Sequence, residues 1–207
     1  MKIHNVIQGT EEWLKVREGK LTASHATAIA NNGKGLVTYV EDMVLKMIEK
    51  ANGKEREIVS NKHTERGHIE EPFARKAFEF ETGLKVSEVG FIEHTPYSGC
   101  SPDGLIYSKN KGIEIKCRNM AKHFSILRTG KPSSATLWQI QMNMLVTGFD
   151  SWWFVAYNEN FKQSLFKKLI HKDEAKQEKL RIGIESGTKM LKELLSDPVT
   201  IKELGNG

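Results

Sequence analysis

Apolar and polar positions alternate with period two from Gly112 to Cys117, which puts Ile113, Ile115 and Cys117 on one side of a pleat and Glu114 and Lys116 on the other. The pattern predicts a strand with one packed face and one face free for chemistry. Upstream, Leu105-Ile106-Tyr107 is a short apolar run, and Ser108-Lys109-Asn110-Lys111-Gly112 has the polar, glycine-ended composition of a hairpin loop. Other segments repeat every three or four residues. Val40, Met43, Val44, Met47, Ile48 and Ala51 form a helical core stripe. Phe73, Ala77, Phe78 and Phe80 form another, ending at Gly83, and Leu137, Ile140, Met144 and Leu145 a third. A last helix carrying Leu180, Ile184, Leu191 and Leu194 is expected to cap the core or contact a subunit. In Ser151–Tyr157, aromatic and β-branched residues favour a central strand whose rings pack rather than stack on bases.

Helices are expected at 11–18, 23–31, 38–51, 63–82, 134–147 and 172–196. Strands are expected near 86–93, 97–107, 112–117, 151–157 and 163–171. No repeat, low-complexity tract or proline-rich linker interrupts them, so residues 1–207 read as a single α/β domain, long enough for one well-buried core. The formal charge of +5 and a pI near 9.1 favour a polyanionic partner. The two cysteines, Cys100 and Cys117, read as reduced packing residues. No apolar run reaches membrane-spanning length and residues 1–20 lack a signal-peptide core, so a bacterial cytoplasm is the expected location.

Candidate chemistry concentrates at Asp103, Glu114 and Lys116. A hairpin between the two strands would bring Asp103 beside Glu114. Converging carboxylates suit a hard cation such as Mg²⁺, which would polarise a phosphodiester and acidify a water within reach of Lys116. The ordinary alternative is a solvated strand face with a weak ion pair. Glu70 and Glu71 precede Pro72, which is tolerated only near a helix start or at a kink, so they either face something specific or simply favour a helix N-terminus. Gln139 and Asn143 share a face of the helix at 134–147 beside its apolar stripe, whereas Gln141 points away. A buried amide there needs a partner: a phosphate, a metal-held water, a base edge or a structural group. His63, His68, His94 and His123 lack a mutual ligand spacing, and Gly33-Lys34-Gly35 falls short of a phosphate loop.

Four pieces, Gly67-x-x-x-Glu71-Pro72, Ser101-Pro102-Asp103-Gly104-Leu105, Glu114-Ile115-Lys116-Cys117 and Gln139-x-Gln141, occur in an order and spacing that resembles the phage lambda exonuclease-like, or YqaJ-type, viral recombination nucleases of the PD-(D/E)xK superfamily. The likeness extends from Trp13 to about Tyr157, and Trp13–Ser24 looks like the family's opening motif. The resemblance implies a restriction-endonuclease-like α/β core with a central mixed sheet flanked by helices. It implies a metal held by Glu71, Asp103, Glu114 and the Ile115 carbonyl, with Glu70 competing for the place of Glu71. Lys116 would place the nucleophilic water, and Gln139 would complete the catalytic set. Arg17 and Ser24 would bind a DNA 5′-phosphate, with further DNA contacts from Ser101 and Gln141. The implied activity is a Mg²⁺-dependent 5′→3′ exonuclease, Mn²⁺ substituting, that acts on double-stranded DNA ends. The implied assembly is a ring-shaped homotrimer passing its product to a phage single-strand annealing protein. Asn143 departs from the tyrosine often found four residues beyond the active-site glutamine. Two cysteines exclude the four-cysteine iron–sulfur cluster of a related nuclease group. A restriction-like or structure-specific endonuclease, or a non-catalytic DNA-binding protein, are the rival readings.

Overall fold

The computed structural model describes residues 2–54 and 62–205; the side chains of 62–66 and 68, including the histidines His63 and His68, lie outside the described residues. The chain runs β1 (Lys2–His4), α1 (Glu11–Arg17), β2 (Leu21–Thr22), α2 (Ala26–Asn31), α3 (Lys34–Ala51), α4 (Lys62–Thr82), β3 (Phe91–Thr95), β4 (Ser98–Cys100) and β5 (Gly104–Ile106). It continues through β6 (Lys111–Cys117), α5 (Met120–Thr129), α6 (Ser134–Thr147), β7 (Ser151–Tyr157), β8 (Leu165–His171), α7 (Glu174–Leu195) and α8 (Pro198–Glu203).

Two four-stranded sheets form, ordered β1-β3-β4-β2 and β5-β6-β7-β8. The single strand expected at 97–107 is therefore divided: β4 belongs to the first sheet, β5 to the second, and Ser101-Pro102-Asp103 crosses between them. Pro102 has no N–H to give to a ladder, which suits a place where one strand stops and another starts. The strand expected at 86–93 also begins late, at Phe91, and Ser87 makes only an isolated bridge to Leu105. The second sheet is mixed. β5–β6 and β7–β8 are antiparallel and β6–β7 parallel, with α5 and α6 supplying the crossover that a parallel pair requires.

Both faces of this sheet are covered. Ile113, Ile115 and Val155 pack against Ala74 and Phe78 of α4, while Trp152, Phe154 and Ala156 join Ile140 and Met144 of α6 in the larger core. Trp152 lies fully buried over Gly112, its parallel partner in β6, where a Cβ would meet the indole at 2.2 Å. On α4 the packed pair is Ala74 and Phe78, four apart; Phe73 and Phe80, expected in the apolar stripe, are exposed. Leu180, Ile184 and Leu191 of α7 are buried and cap the larger core. There Gly183 lets the helix backbone touch α2, since a Cβ would lie 1.9 Å from the Ile29 carbonyl oxygen.

α3 begins four residues before the expected position 38, with Gly33 as its N-cap and Lys34 as its first residue, so Gly33-Lys34-Gly35 is a helix start. α5 has no counterpart among the helices expected from the sequence. Asn119 caps it and Gly130 ends it in the left-handed region, but only His123 and Ile126 on it are buried, too few for an apolar period.

Candidate active site

Continuing the β5–β6 register by one residue beyond Gly104↔Ile113 sets Asp103 opposite Glu114, as the hairpin predicted. The Ile115 N–H donates to Asp103 Oδ2 at 2.6 Å, pinning the acid to β6. Glu114 is 0 % exposed, so the face expected to be open is instead roofed by α6. Gln139 and Asn143, one helical turn apart, meet the two charged ends of the strand pair. Lys116 Nζ lies 2.5 Å from Glu114 Oε1 and donates to Gln139 Oε1 at 3.2 Å. Asn143 Nδ2 donates to Glu114 Oε2 at 3.1 Å. The shared face of the two amides is thus used as the spacing anticipated, and the partners are the site's own ions.

Glu71 enters from α4. A cleft of about 400 Å³ is lined by Asn5–Gln8, Glu71, Pro72, Arg75, Glu88, Val89 and Asp103. Glu70 does not line this cleft; it acts electrostatically on Tyr157, whose hydroxyl is pushed up by burial and then by Glu159 and Glu70. Of the two adjacent acids it is therefore Glu71 that shares a cavity with Asp103. Arg75, not foreseen from the sequence, bridges Glu71 and Glu88 at 2.6 Å each. Its signal was the i, i+4 spacing from Glu71. Gln8 also went unnoticed: its amide donates to the Val89 and Pro102 carbonyls at 2.8 and 2.9 Å, fastening the N-terminal arm beside Asp103.

The electrostatics are those of crowded anions. Burial, then the negative charges of Glu114 and Glu71, hold Asp103 well above the usual carboxylate range, against the opposing pull of Lys116 and the Ile115 N–H. Burial works against the Lys116 ammonium, but Glu114 and Asp103 outweigh it and raise it. Among the described residues no three acidic, histidine or cysteine side chains already converge at ligand spacing. Each carboxylate is instead engaged, Glu71 by Arg75, Asp103 by a backbone N–H and Glu114 by Lys116. Hard oxygen donors with surplus negative charge in a desolvated place are the donor set that a divalent cation suits.

A second cluster lies on the other side of Ser101. The Arg17 guanidinium stacks 3.9 Å over the Trp13 ring. Arg17 Nη1 and Trp13 Nε1 both donate to Ser101 Oγ, at 3.2 and 2.9 Å. With its oxygen accepting twice, Ser101 keeps its own hydroxyl hydrogen to donate. Burial lowers the pKa of Arg17, against Tyr39 and Cys100. Tyr39 hydrogen-bonds Thr22 Oγ1 at 3.2 Å, which in turn meets Ser24 Oγ at 3.1 Å. Ser24 is exposed and contacts His25 Nδ1 at 3.2 Å, and the His25 ring stacks on Tyr39. Tyr39 thus reaches Ser24 through Thr22 and acts on Arg17 electrostatically.

Gln141 is placed differently from the expected DNA contact. It is 2 % exposed, its amide donates to His171 O at 2.9 Å, and its Oε1 accepts from the Asp173 N–H and from Gln177. Both ends of its amide bond within the seam of α6, β8 and α7. His123 is buried against Phe161 with Nε2 3.0 Å from Gln163 O, a core histidine whose Nδ1 has no hydrogen-bond partner among the described residues. Cys100 is buried and its thiol pushed up by that burial; no disulfide joins Cys100 and Cys117.

A mixed sheet between helices, with a carboxylate pair and a lysine at the open end of the β5–β6 hairpin, away from its turn, defines a PD-(D/E)xK-type fold. Residues 12–150 match the model of the YqaJ-like viral recombinase domain, and the chain belongs to that family. Among solved structures it is similar to the alkaline exonuclease LHK-Exo of Laribacter hongkongensis, at 31% identity and a TM-score of 0.79 over 89% of this chain and 93% of that one. The same enzyme in complex with dAMP matches at 30% identity and a TM-score of 0.76, over 95% of each chain. A phage-related exonuclease of Haemophilus somnus 129PT shares the fold at 16% identity and a TM-score of 0.65, over 86% and 95% of the two chains. No curated protein matches the sequence significantly. Family and relatives support a DNA exonuclease, of a class that generally uses divalent metal ions.

Proposed function

We propose that residues 1–207 act as one exonuclease domain that digests the 5′-ended strand of linear double-stranded DNA in the presence of Mg²⁺ or Mn²⁺. It would release 5′-mononucleotides and leave a 3′ single strand for strand annealing. The observation that carries this reading is the pairing of two clusters, an acid–lysine centre and a guanidinium–hydroxyl pocket, across the single segment Ser101-Pro102-Asp103. Glu71, Asp103, Glu114 and the Ile115 carbonyl would hold the ion, which when bound supplies Lewis-acid polarisation of the scissile phosphate. Lys116, steadied by Gln139, orients the attacking water and offsets developing negative charge. Arg17, Ser24 and the donor hydrogen of Ser101 would receive the terminal phosphate, a guanidinium fork being suited to an oxyanion. The dAMP bound to the Laribacter relative is in keeping with a mononucleotide product.

A ring-shaped homotrimer around the duplex, working with a single-strand annealing protein in a bacterial cytoplasm as a phage or prophage product, completes the proposal. Ile69, Phe73 and Phe80 are exposed on α4 and lie within about 40° of one another at 100° per residue, an apolar stripe that such an assembly would cover. Among the described residues no helix is long and apolar enough to cross a membrane.

The test offers linear duplexes with 5′-phosphate or 5′-hydroxyl ends, and closed circles, with and without Mg²⁺. Metal-dependent release of mononucleotides from phosphorylated ends is expected. Cleavage of closed circles would favour an endonuclease, and equal rates on both ends would remove Arg17 and Ser24 from phosphate binding.

A further inference from the structure

Asn143 is fully buried, yet only one end of its amide is used. Nδ2 donates to Glu114 Oε2 at 3.1 Å, while Oδ1 has no hydrogen-bond partner among the described residues. Gln141, two residues away on the same helix, satisfies both ends of its amide within the core. A buried amide kept for packing alone follows the Gln141 pattern, because an unpaired buried oxygen carries a desolvation penalty. Asn143 departs from that pattern at the one place where its neighbour is a buried carboxylate.

From this arrangement we infer that Asn143 is a positioning residue that tunes cation binding at Glu114, resting on the metal-dependent reading proposed above. Glu114 has two oxygens, and the Lys116 ammonium lies 2.5 Å from Oε1. Without the Asn143 N–H, the carboxylate is free to swing and present both oxygens to Lys116, closing the ion pair on itself. The amide holds Oε2 with a neutral donor that neutralises none of the carboxylate's charge. Glu114 therefore remains an open anion that a divalent ion can share with Lys116. Gln139, one turn earlier, takes the opposite end of the same pair by accepting from Lys116 at 3.2 Å, so one face of α6 sets both partners. The unpaired Oδ1 is a further hard acceptor for a water within the site.

The experiment is calorimetric titration of the metal-free full chain with Mn²⁺ at fixed pH, alongside thermal melts with and without Mn²⁺. Asn143→Leu removes the donor and is expected to weaken Mn²⁺ binding about tenfold, the lower end of what loss of a group orienting a metal ligand costs. The Mg²⁺ concentration for half-maximal digestion should rise in parallel, with most of the rate recovered at saturating metal. Asn143→Asp sets a second anion against Glu114. It should lower the metal-free melting temperature and enlarge the rise that Mn²⁺ produces, an outcome of opposite sign that simple loss of packing does not give. Wild-type Mn²⁺ affinity in Asn143→Leu, or a Mn²⁺-induced rise in Asn143→Asp no larger than in the wild type, overturns the inference. If the leucine variant does not fold, the aspartate variant decides alone. Absence of Mn²⁺ binding by the wild-type protein instead removes the metal-dependent reading and this inference together.

Discussion

Asp103 is an acid kept where its charge is disfavoured. Burial and the neighbouring Glu114 and Glu71 lift it well above the usual carboxylate range, so the metal-free folded protein holds a proton there to higher pH than the unfolded chain does. The sign follows from linkage. Asp103's contribution to stability is full below the ordinary carboxylate range and is lost as pH rises through the raised folded value. Asp103→Asn should therefore abolish cleavage while raising the metal-free melting midpoint at pH 8 by several degrees, each kcal/mol being worth about 2–4 °C for a chain of this length. A melt no higher than wild type would refute the surplus-charge picture. A divalent ion must also displace the Asp103 proton, so Mn²⁺ affinity should climb with pH. Titrations in buffers of different ionisation enthalpy should give different heats, and identical heats would show that no proton leaves. Lys116→Ala is expected to remove cleavage with DNA retention largely kept, as measured by filter binding. Asp103, Glu114, Lys116 and Gln139 were legible because period-two alternation and i, i+4 spacing fix which side chains share a face. Arg75 and Gln8 were not, because their partners are set by long-range packing that no local period encodes.

Elements divide along the same line. α6 and β7 run over the residues that the pattern predicts, since each carries a continuous period and α6 also has a clear cap and stop in Ser133 and Gly148. β1, β2 and α8 are too short for a period to show, and α5 buries too little. The divided 97–107 segment looked continuous because both halves are apolar; what separates them is a change of sheet at Pro102, a tertiary event. Gln141 lies on the face pointing away from Gln139, as its spacing predicts, and α7 and the end of β8 pack against that face. Gln141→Leu should accordingly destabilise the fold by roughly 1–3 kcal/mol in denaturant unfolding, the cost of orphaning buried partners, with 5′-phosphate preference unchanged. Gly112→Ala drives a methyl into the Trp152 ring and should cost about 1–3 kcal/mol in the same measurement. An unaltered midpoint in either variant would show that the contact is dispensable.

At the scale of the whole molecule, the basic balance of +5 that pointed to a polyanion gives no address for it. DNA affinity is expected to fall steeply between low and physiological salt, following release of phosphate counterions, and salt-insensitive binding would exclude a backbone-dominated interface. What does carry an address is the crossing between the sheets. Ser101 and Asp103 are separated by one proline, and each is tied to a different layer, Ser101 to the Arg17–Trp13 stack and Asp103 to the central β6. Two residues of extended chain span about 7 Å. In the proposed reading the polypeptide would act as a ruler between an anchored strand end and the bond to be cut, its length written in covalent bonds. Lengthening it by one glycine after Ser101 should leave the acid centre assembled but out of step with the anchor, visible as loss of 5′-phosphate preference or a changed product length.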